Sequence, residues 1–372
     1  MFNDELVIDV HGHMSTPPQF RAFAYNLIAL RTADSKFTLT PEQMQGPLDR
    51  HLRLLDTHNI DVQMISPRPV AMMHWEQAYL VKAWTKTTND IIAAQCEMHP
   101  TRFVGVAQLN QSADLDTSNC IEELERTVGA LGFVGALVNP DPGADRRTPG
   151  MNDKYWFPLY KKAEELDATL IVHPSITRDP RLEIVPHSYQ YNNLTEETLA
   201  TLLLEHSDVF DTFPKLRIVI CHCGGALRRV LEKGLPADAV AHAHGKPNIA
   251  GDSGEMAGGS AVNAGMVREK KQRNTWADNL FFDTCSYDGQ LLSGALKQRG
   301  VAQMVFGTEV PGSGSDLINP LTGAPSDDVL ALLRSFDFLD DADIKAIVHD
   351  NPLRVFPLLQ PKIAKLIATA SK

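Results

Sequence analysis

The chain has 372 residues, 43% of them hydrophobic and 22% charged, with a formal net charge of −11. That mixture is too apolar for a disordered polar chain, too acidic for nucleic-acid binding through a basic face, and holds no apolar run of about 18 residues to span a membrane. Asp4 and Glu5 stand where a secretory signal carries positive charge, and five scattered cysteines give no disulfide framework, so a reducing, cytoplasmic setting is expected.

Apolar runs and amphipathic stretches alternate from the start. Residues 6–10 (LVIDV) form a short β-branched run bounded by polar residues, the pattern of a buried strand. Residues 14–47 lack clear periodicity and are expected to be a long loop with short helices. A helix over 48–57 follows, with Leu48, Leu52 and Leu55 at helical spacing. Then come a strand at 62–66, a helix at 82–97, a strand at 103–107, and a helix at 121–129 with Thr117 or Ser118 as its N-cap. The series continues with a strand at 136–138, a helix at 158–166, a strand at 169–172, a helix at 196–209 and a strand at 216–222. Residues 234–275, rich in Gly and Ala, read as an insertion over one mouth of the fold. Strands at 280–283 and 304–306 and helices at 329–336 and 342–348 complete the chain.

Eight strands separated by helical segments predict one α/β domain, a (β/α)8 barrel. No GxGxxG follows the first strand, which removes the main signature of an open dinucleotide-binding sheet.

Chemistry in such a barrel gathers at the carboxyl ends of the strands. The first strand ends in Asp9-Val10-His11-Gly12-His13, the fifth in His173, the sixth in His222 and the eighth in Glu309. Two histidines at i and i+2 on extended backbone face one side, and Gly12 between them permits close backbone approach. One histidine near a strand end is ordinarily a hydrogen-bonded structural residue. Four of the chain's 13, with a carboxylate, at one face point instead to a metal site. Imidazoles and a carboxylate suit Zn²⁺, with Mn²⁺ or Fe²⁺ as alternatives.

This arrangement resembles the amidohydrolase superfamily, in the branch of ACMS decarboxylase, γ-resorcylate decarboxylase and 4-oxalomesaconate hydratase, over nearly the whole chain. The branch usually carries Asp after the eighth strand. Glu309, in GTEVP, is similar to the hydratases and to a related carbon–carbon hydrolase. HGH with Thr16 and Pro18, SPRPVAMMH (66–74), VNPDP (138–142) and FFDTCSYD (281–288) also look like the hydratases. The hydratases carry cysteines in the stretch after the fifth strand, where this chain has none.

The resemblance implies one divalent ion on His11, His13, His173 and Glu309, zinc first and manganese as the alternative. His222 is then a proton carrier rather than a ligand. No carboxylated lysine follows the fourth strand, at 136–139, which favours one ion over two. Arg68, between two prolines at the end of the second strand, has the planar fork that suits a substrate carboxylate. His74, Asn139, His187 and Tyr287 are the remaining candidates for contact with substrate. Asp9 is expected to orient a first-strand histidine or cap a turn. Cys96, Cys120 and Cys285 read as small core residues, Cys221 and Cys223 lack evident metal partners, and His242 and His244 read as solvated.

The expected activity is a metal-dependent hydratase or lyase acting on a polycarboxylate from aromatic ring cleavage. Decarboxylation and carbon–carbon hydrolysis are the alternatives, since all three use the same residues; Glu309 and SPRP favour hydration or carbon–carbon hydrolysis. A non-catalytic metal barrel fits less well, because structural zinc sites are closed and thiolate-rich. The partners expected are a small carboxylated substrate and, by analogy with the family, other copies of the chain.

Overall fold

The computed structural model describes residues 1–33, 37–182, 184–227, 278–312, 314–315, 317–320 and 322–370. Eight parallel strands run β1 (Ile8–His13), β2 (Val62–Ser66), β3 (Phe103–Gly105), β4 (Gly135–Val138), β5 (Thr169–Val172), β6 (Ile218–Ile220), β7 (Leu280–Asp283) and β8 (Met304–Val305). Laddering joins β1-β2-β3 and β4-β5-β6-β7-β8. A few backbone bonds close the two gaps. Ala107 N donates to Gly135 O (2.9 Å) and Leu137 N to Ala107 O (2.8 Å) between β3 and β4, while Val10 N donates to Phe306 O (2.8 Å) between β8 and β1. The result is a (β/α)8 barrel in sequential order.

Every strand residue is buried, as parallel strands covered on both faces require. Ile8, Val10, Met64, Val104, Leu137, Ile171, Val219, Phe281 and Val305 pack into one core, joined by Val355, Phe356 and Leu359 from the C-terminal region.

Helices α1 (Pro18–Leu30), α2 (Pro41–Thr57), α3 (Ala78–Met98), α4 (Ile121–Gly129), α5 (Phe157–Glu165), α6 (Ser188–Glu205), α7 (Val209–Thr212) and α8 (Gly289–Arg299) connect the strands. The stretch 14–47, expected as a long loop with short helices, is largely helical, with α1 running 13 residues. Phe20, Phe23, Ala24 and Leu27 face inward, and Phe20 stacks on Trp84 with ring centroids 4.4 Å apart. Helix α2 starts at Pro41 instead of 48, because Thr40 and Gln43 form a reciprocal capping box. The cap expected at Thr117 or Ser118 is Asp116, whose side chain accepts from Ser118 N (2.9 Å) and opens a 3-10 turn into α4. The single helix expected over 196–209 is two, α6 beginning at Ser188 and α7 following a break. The expected insertion at 234–275, with His242 and His244, lies outside the described residues.

Candidate metal centre

The HGH end of β1 departs from ideal strand geometry. Asp9 pairs with Gln63 and Gly12 with Ile65, so the register slips between them. Gly12 is required there: a Cβ would lie 2.1 Å from the Gln63 side chain. Gln63 Nε2 instead donates to Asp9 Oδ2 (2.7 Å) and Val310 O (2.9 Å). Asp9 also accepts from His11 N (3.0 Å) and Thr308 Oγ1 (2.6 Å). Asp9 therefore bolts the β1 end to the segment after β8, and does not hold a histidine ring. Burial raises its carboxyl to about 6, against the lowering effect of these bonds.

At the mouth the predicted residues converge. His11 and His13 have ring centroids 5.1 Å apart, His11 and His173 5.1 Å, and His173 and His222 4.9 Å. Glu309 Oε1 lies 3.7 Å from His13 Nε2 and 4.0 Å from His173 Nε2, and its Oε2 lies 3.8 Å from His222 Nε2. Donor atoms of His11, His173, His222 and Glu309 all fall within 4.8 Å of one another. His13, expected as a ligand, sits at the edge of that set, and His222, expected outside it, is within reach. Glu309 (φ 64°) and His222 (φ 47°) both hold the left-handed conformation that non-glycine residues adopt at a cost. Glu309 N also donates to His11 O (2.6 Å).

The outer ring nitrogens fix the tautomers. His11 Nδ1 meets Asp283 Oδ2 at 2.7 Å, and His173 Nδ1 donates to Pro174 O at 2.7 Å. Ser66 Oγ donates to Gly12 O (2.9 Å), which leaves its oxygen to accept from His13 Nδ1 (2.9 Å). His222 Nδ1 meets Glu197 Oε1 at 2.6 Å. Each Nδ1 is thus committed to an acceptor on the protein, and each ring turns its Nε2 inward. The Nε2 atoms of His11, His13 and His173 are buried and have no hydrogen-bond partner.

Burial lowers His13 to about 4, and burial with the neighbouring His222, His11 and His13 holds His173 well below the usual imidazole range. Burial works against ionising Glu309, but the facing His13, His222 and His11 rings hold it well below the usual carboxylate range. Against burial, Cys221 and Asp283 raise His11, and Glu197, Cys285 and Glu309 raise His222, well above the usual imidazole range; a divalent cation on the inner nitrogens would displace their protons.

The other candidates divide. Tyr287 belongs to the site, its OH donating to Glu309 Oε2 (3.3 Å). Arg68 is half-buried beside Glu309 and makes no hydrogen bond or close ion pair with any described residue. His74 is fully buried and closed to substrate: Nε2 donates to Leu109 O (3.2 Å), Nδ1 faces Asn139 Nδ2 (3.5 Å), and burial lowers it to about 3. Asn139 is likewise spent inside the protein, with its Oδ1 accepting from Asp141 N (3.1 Å) and its backbone bonded twice to Gln111. His187 stands exposed before α6, beside Tyr189.

Four residues of the site were not expected. Asp283 carries the His11 ring, and its other oxygen accepts from Cys285 N (3.0 Å); the signal was an acid ending the apolar run LFFD. Glu197 comes from α6, where nothing in the spacing marks it. Cys285, read as a core residue, donates its thiol to Glu309 Oε2 (3.9 Å). Cys221 does have partners, with His11 and Asp283 donors within 4.8 Å.

Comparison with known proteins places this geometry. A family model described as amidohydrolase matches residues 8–358. A 2-keto-4-carboxy-3-hexenedioate hydratase of a Sphingobium species is 29% identical, over 96% of this chain and 98% of its own length. A γ-resorcylate decarboxylase of a Polaromonas species is 31% identical over 48% of this chain and 56% of its own. The solved structure of 4-oxalomesaconate hydratase from Rhodopseudomonas palustris superposes with a TM-score of 0.75 at 24% identity, covering 99% of this chain and 100% of that one. The 2,6-dihydroxybenzoate decarboxylase from Rhizobium superposes with a TM-score of 0.66 at 21% identity, covering 95% and 99%. With the family match running through every strand of the barrel, the chain belongs to the amidohydrolase family.

Proposed function

We propose that this enzyme is a metal-dependent hydratase of a polycarboxylate derived from aromatic ring cleavage. The observation that carries the reading is the set of three buried, unpartnered Nε2 atoms facing the Glu309 carboxylate at the barrel mouth. Leaving buried polar atoms unpaired costs stability, so the residues fit an absent ion better than they fit each other. His11, His13, His173 and Glu309 would hold one divalent cation, zinc or alternatively manganese. When bound, it supplies Lewis acidity toward water or a chelating substrate oxygen.

His222 stays out of this ligand set because its side chain is 17% exposed, against 1–3% for the other three histidines, and so faces the substrate side. Its Nε2 is the atom that takes or returns a proton as water adds across a conjugated double bond. Arg68, a half-buried guanidinium without a partner among the described residues, binds a carboxylate remote from the ion. Tyr287 steadies Glu309 through its hydroxyl. The similarity to a curated hydratase along 96% of the chain supports hydration. A decarboxylase is the second reading, favoured by the γ-resorcylate decarboxylases that match about half the chain. All five cysteines are free, which supports a reducing, cytoplasmic setting.

Metal analysis of the purified protein should find about one ion per chain. A spectrophotometric screen then compares 4-oxalomesaconate and related unsaturated polycarboxylates with hydroxybenzoates, while released CO2 is measured in parallel. Loss of diene absorbance without CO2 supports hydration, and stoichiometric CO2 selects the decarboxylase. Full turnover in chelator-treated, metal-free protein would sink both.

A further inference from the structure

Helix α6 buries an unusual number of polar residues beside Ala200 and Leu204. Asn192, Asn193, Glu196, Glu197 and Thr201 are buried, while Tyr191, Leu199 and Leu202 are 53%, 46% and 39% exposed. An amphipathic helix on a barrel ordinarily turns its apolar side inward. Glu197 is the extreme case, with a side chain 0% exposed and an Oε2 that has no hydrogen-bond partner. A buried, half-satisfied carboxylate is costly, and an apolar side chain of the same volume would serve the fold better.

Its other oxygen explains the expense. Glu197 Oε1 lies 2.6 Å from His222 Nδ1, the ring atom that faces away from the cluster. The main chain of His222 is held from the same side. Residues 222–225 run through four successive left-handed conformations, at φ 47°, 61°, 75° and 77°. Thr201 Oγ1 and Arg299 Nη2 donate to Gly224 O (3.0 and 3.1 Å), and Arg299 Nε donates to Cys223 O (2.7 Å). A Cβ at Gly225 would lie 2.5 Å from Thr198 N, so the turn sits directly against α6.

Resting on the reading of His222 as proton carrier, we infer that Glu197 is the positioning residue for that histidine. Its carboxylate accepts a hydrogen bond from Nδ1–H, fixes the ring plane, and commits the Nε2 lone pair to the Glu309 side of the site. The polar inner face of α6 is thus part of the reaction apparatus and not of the core.

The test compares Glu197→Met, close in volume and unable to accept a hydrogen bond, with Glu197→Gln, whose amide oxygen can accept the same proton. On zinc-loaded enzyme and the best substrate from the screen, E197M should lower kcat about 10–100-fold. KM and bound metal should stay within about twofold and the melting temperature should hold or rise, while E197Q recovers most of the loss. Unchanged kcat in E197M, loss of metal, a lowered melting temperature, or an E197Q as poor as E197M would each overturn the inference.

A second readout needs no substrate. Two-bond 1H–15N correlation spectra of histidine-labelled, zinc-loaded protein should show His222, assigned by its absence in His222→Gln, as the Nδ1–H tautomer. That state should persist in E197Q and be lost in E197M; persistence in E197M overturns the inference. Unchanged kcat in His222→Gln would instead refute the proton-carrier reading, leaving the tautomer result to judge Glu197 separately.

Discussion

Two kinds of buried histidine occupy this barrel. His58 and His74 close both ring nitrogens on the protein: His58 on Leu54 O (2.5 Å) and Asp327 Oδ1 (2.9 Å), His74 on Leu109 O and the Asn139 amide. His11, His13 and His173 close only Nδ1 and leave Nε2 bare toward one another. All five are similarly buried, so burial alone does not separate structural from functional histidines. The convergence of open ring nitrogens on one carboxylate does, since His51 also leaves its Nδ1 bare but stands alone. His58 donates from both nitrogens and is an imidazolium pinned to Asp327, a tie between the end of α2 and the segment after β8. The mouth histidines turn bare nitrogens toward one another, the arrangement that would suit a cation.

That contrast can be broken most directly at His173. His173→Ala should reduce bound metal to below about a tenth and turnover by at least about three orders of magnitude, because a three-donor remnant no longer encloses the ion. Metal analysis after dialysis checks this, and full occupancy would reassign the ligands. His58→Ala should behave in the opposite way. Removing one partner of a buried pair costs about 3–5 kcal/mol, read in urea unfolding, while metal content below the melting temperature stays at the wild-type level.

The pair also carries a pH signature. Asp327 and Leu54 O raise His58, against the lowering effect of burial. A raised folded-state value means that the contribution is complete below the unfolded value of about 6.5 and fades as pH rises through the folded value. Wild-type stability minus that of His58→Ala should therefore shrink with rising pH across that window; a difference that grows would refute the imidazolium assignment.

Asp283→Asn sharpens the comparison by leaving every proposed ligand in place. It should weaken metal affinity about 10–100-fold, measured by competition with a chelator, because His11 loses the carboxylate that orients it. Arg68→Lys should be the mildest, raising KM roughly tenfold with metal content unchanged, since an ammonium cannot reproduce the planar fork.

Much of this architecture was legible in the chain. A strand buried on both faces writes itself as a continuous apolar run, and a polar residue that ends such a run is conspicuous; His11, His13, His173, His222 and Glu309 all announced themselves in that way. Helix α1 did not, although Phe20, Phe23, Ala24 and Leu27 stand at helical spacing, since its fate depends on Trp84 from a distant helix. The residues behind the histidines were harder still. Asp283 reaches His11 across 272 positions, and Glu197 reaches His222 from a helix whose buried face mixes polar and apolar residues. His74 and Asn139 misled for the complementary reason. Their sequence setting resembled that of substrate contacts, but their polar atoms satisfy one another and the neighbouring backbone.

The bond from Glu309 N to His11 O lies on the seam where the last strand meets the first, and both residues belong to the proposed ligand set. A cation seated there acts as a rivet across the one junction that chain connectivity does not bridge. Loading it should lengthen the lifetime of the closed cylinder by mass action, with the gain growing as the logarithm of free metal concentration. Stripping it should let the seam part before any other joint, so hydrogen exchange in the apoprotein should quicken first at the amides of Val10 and Glu309.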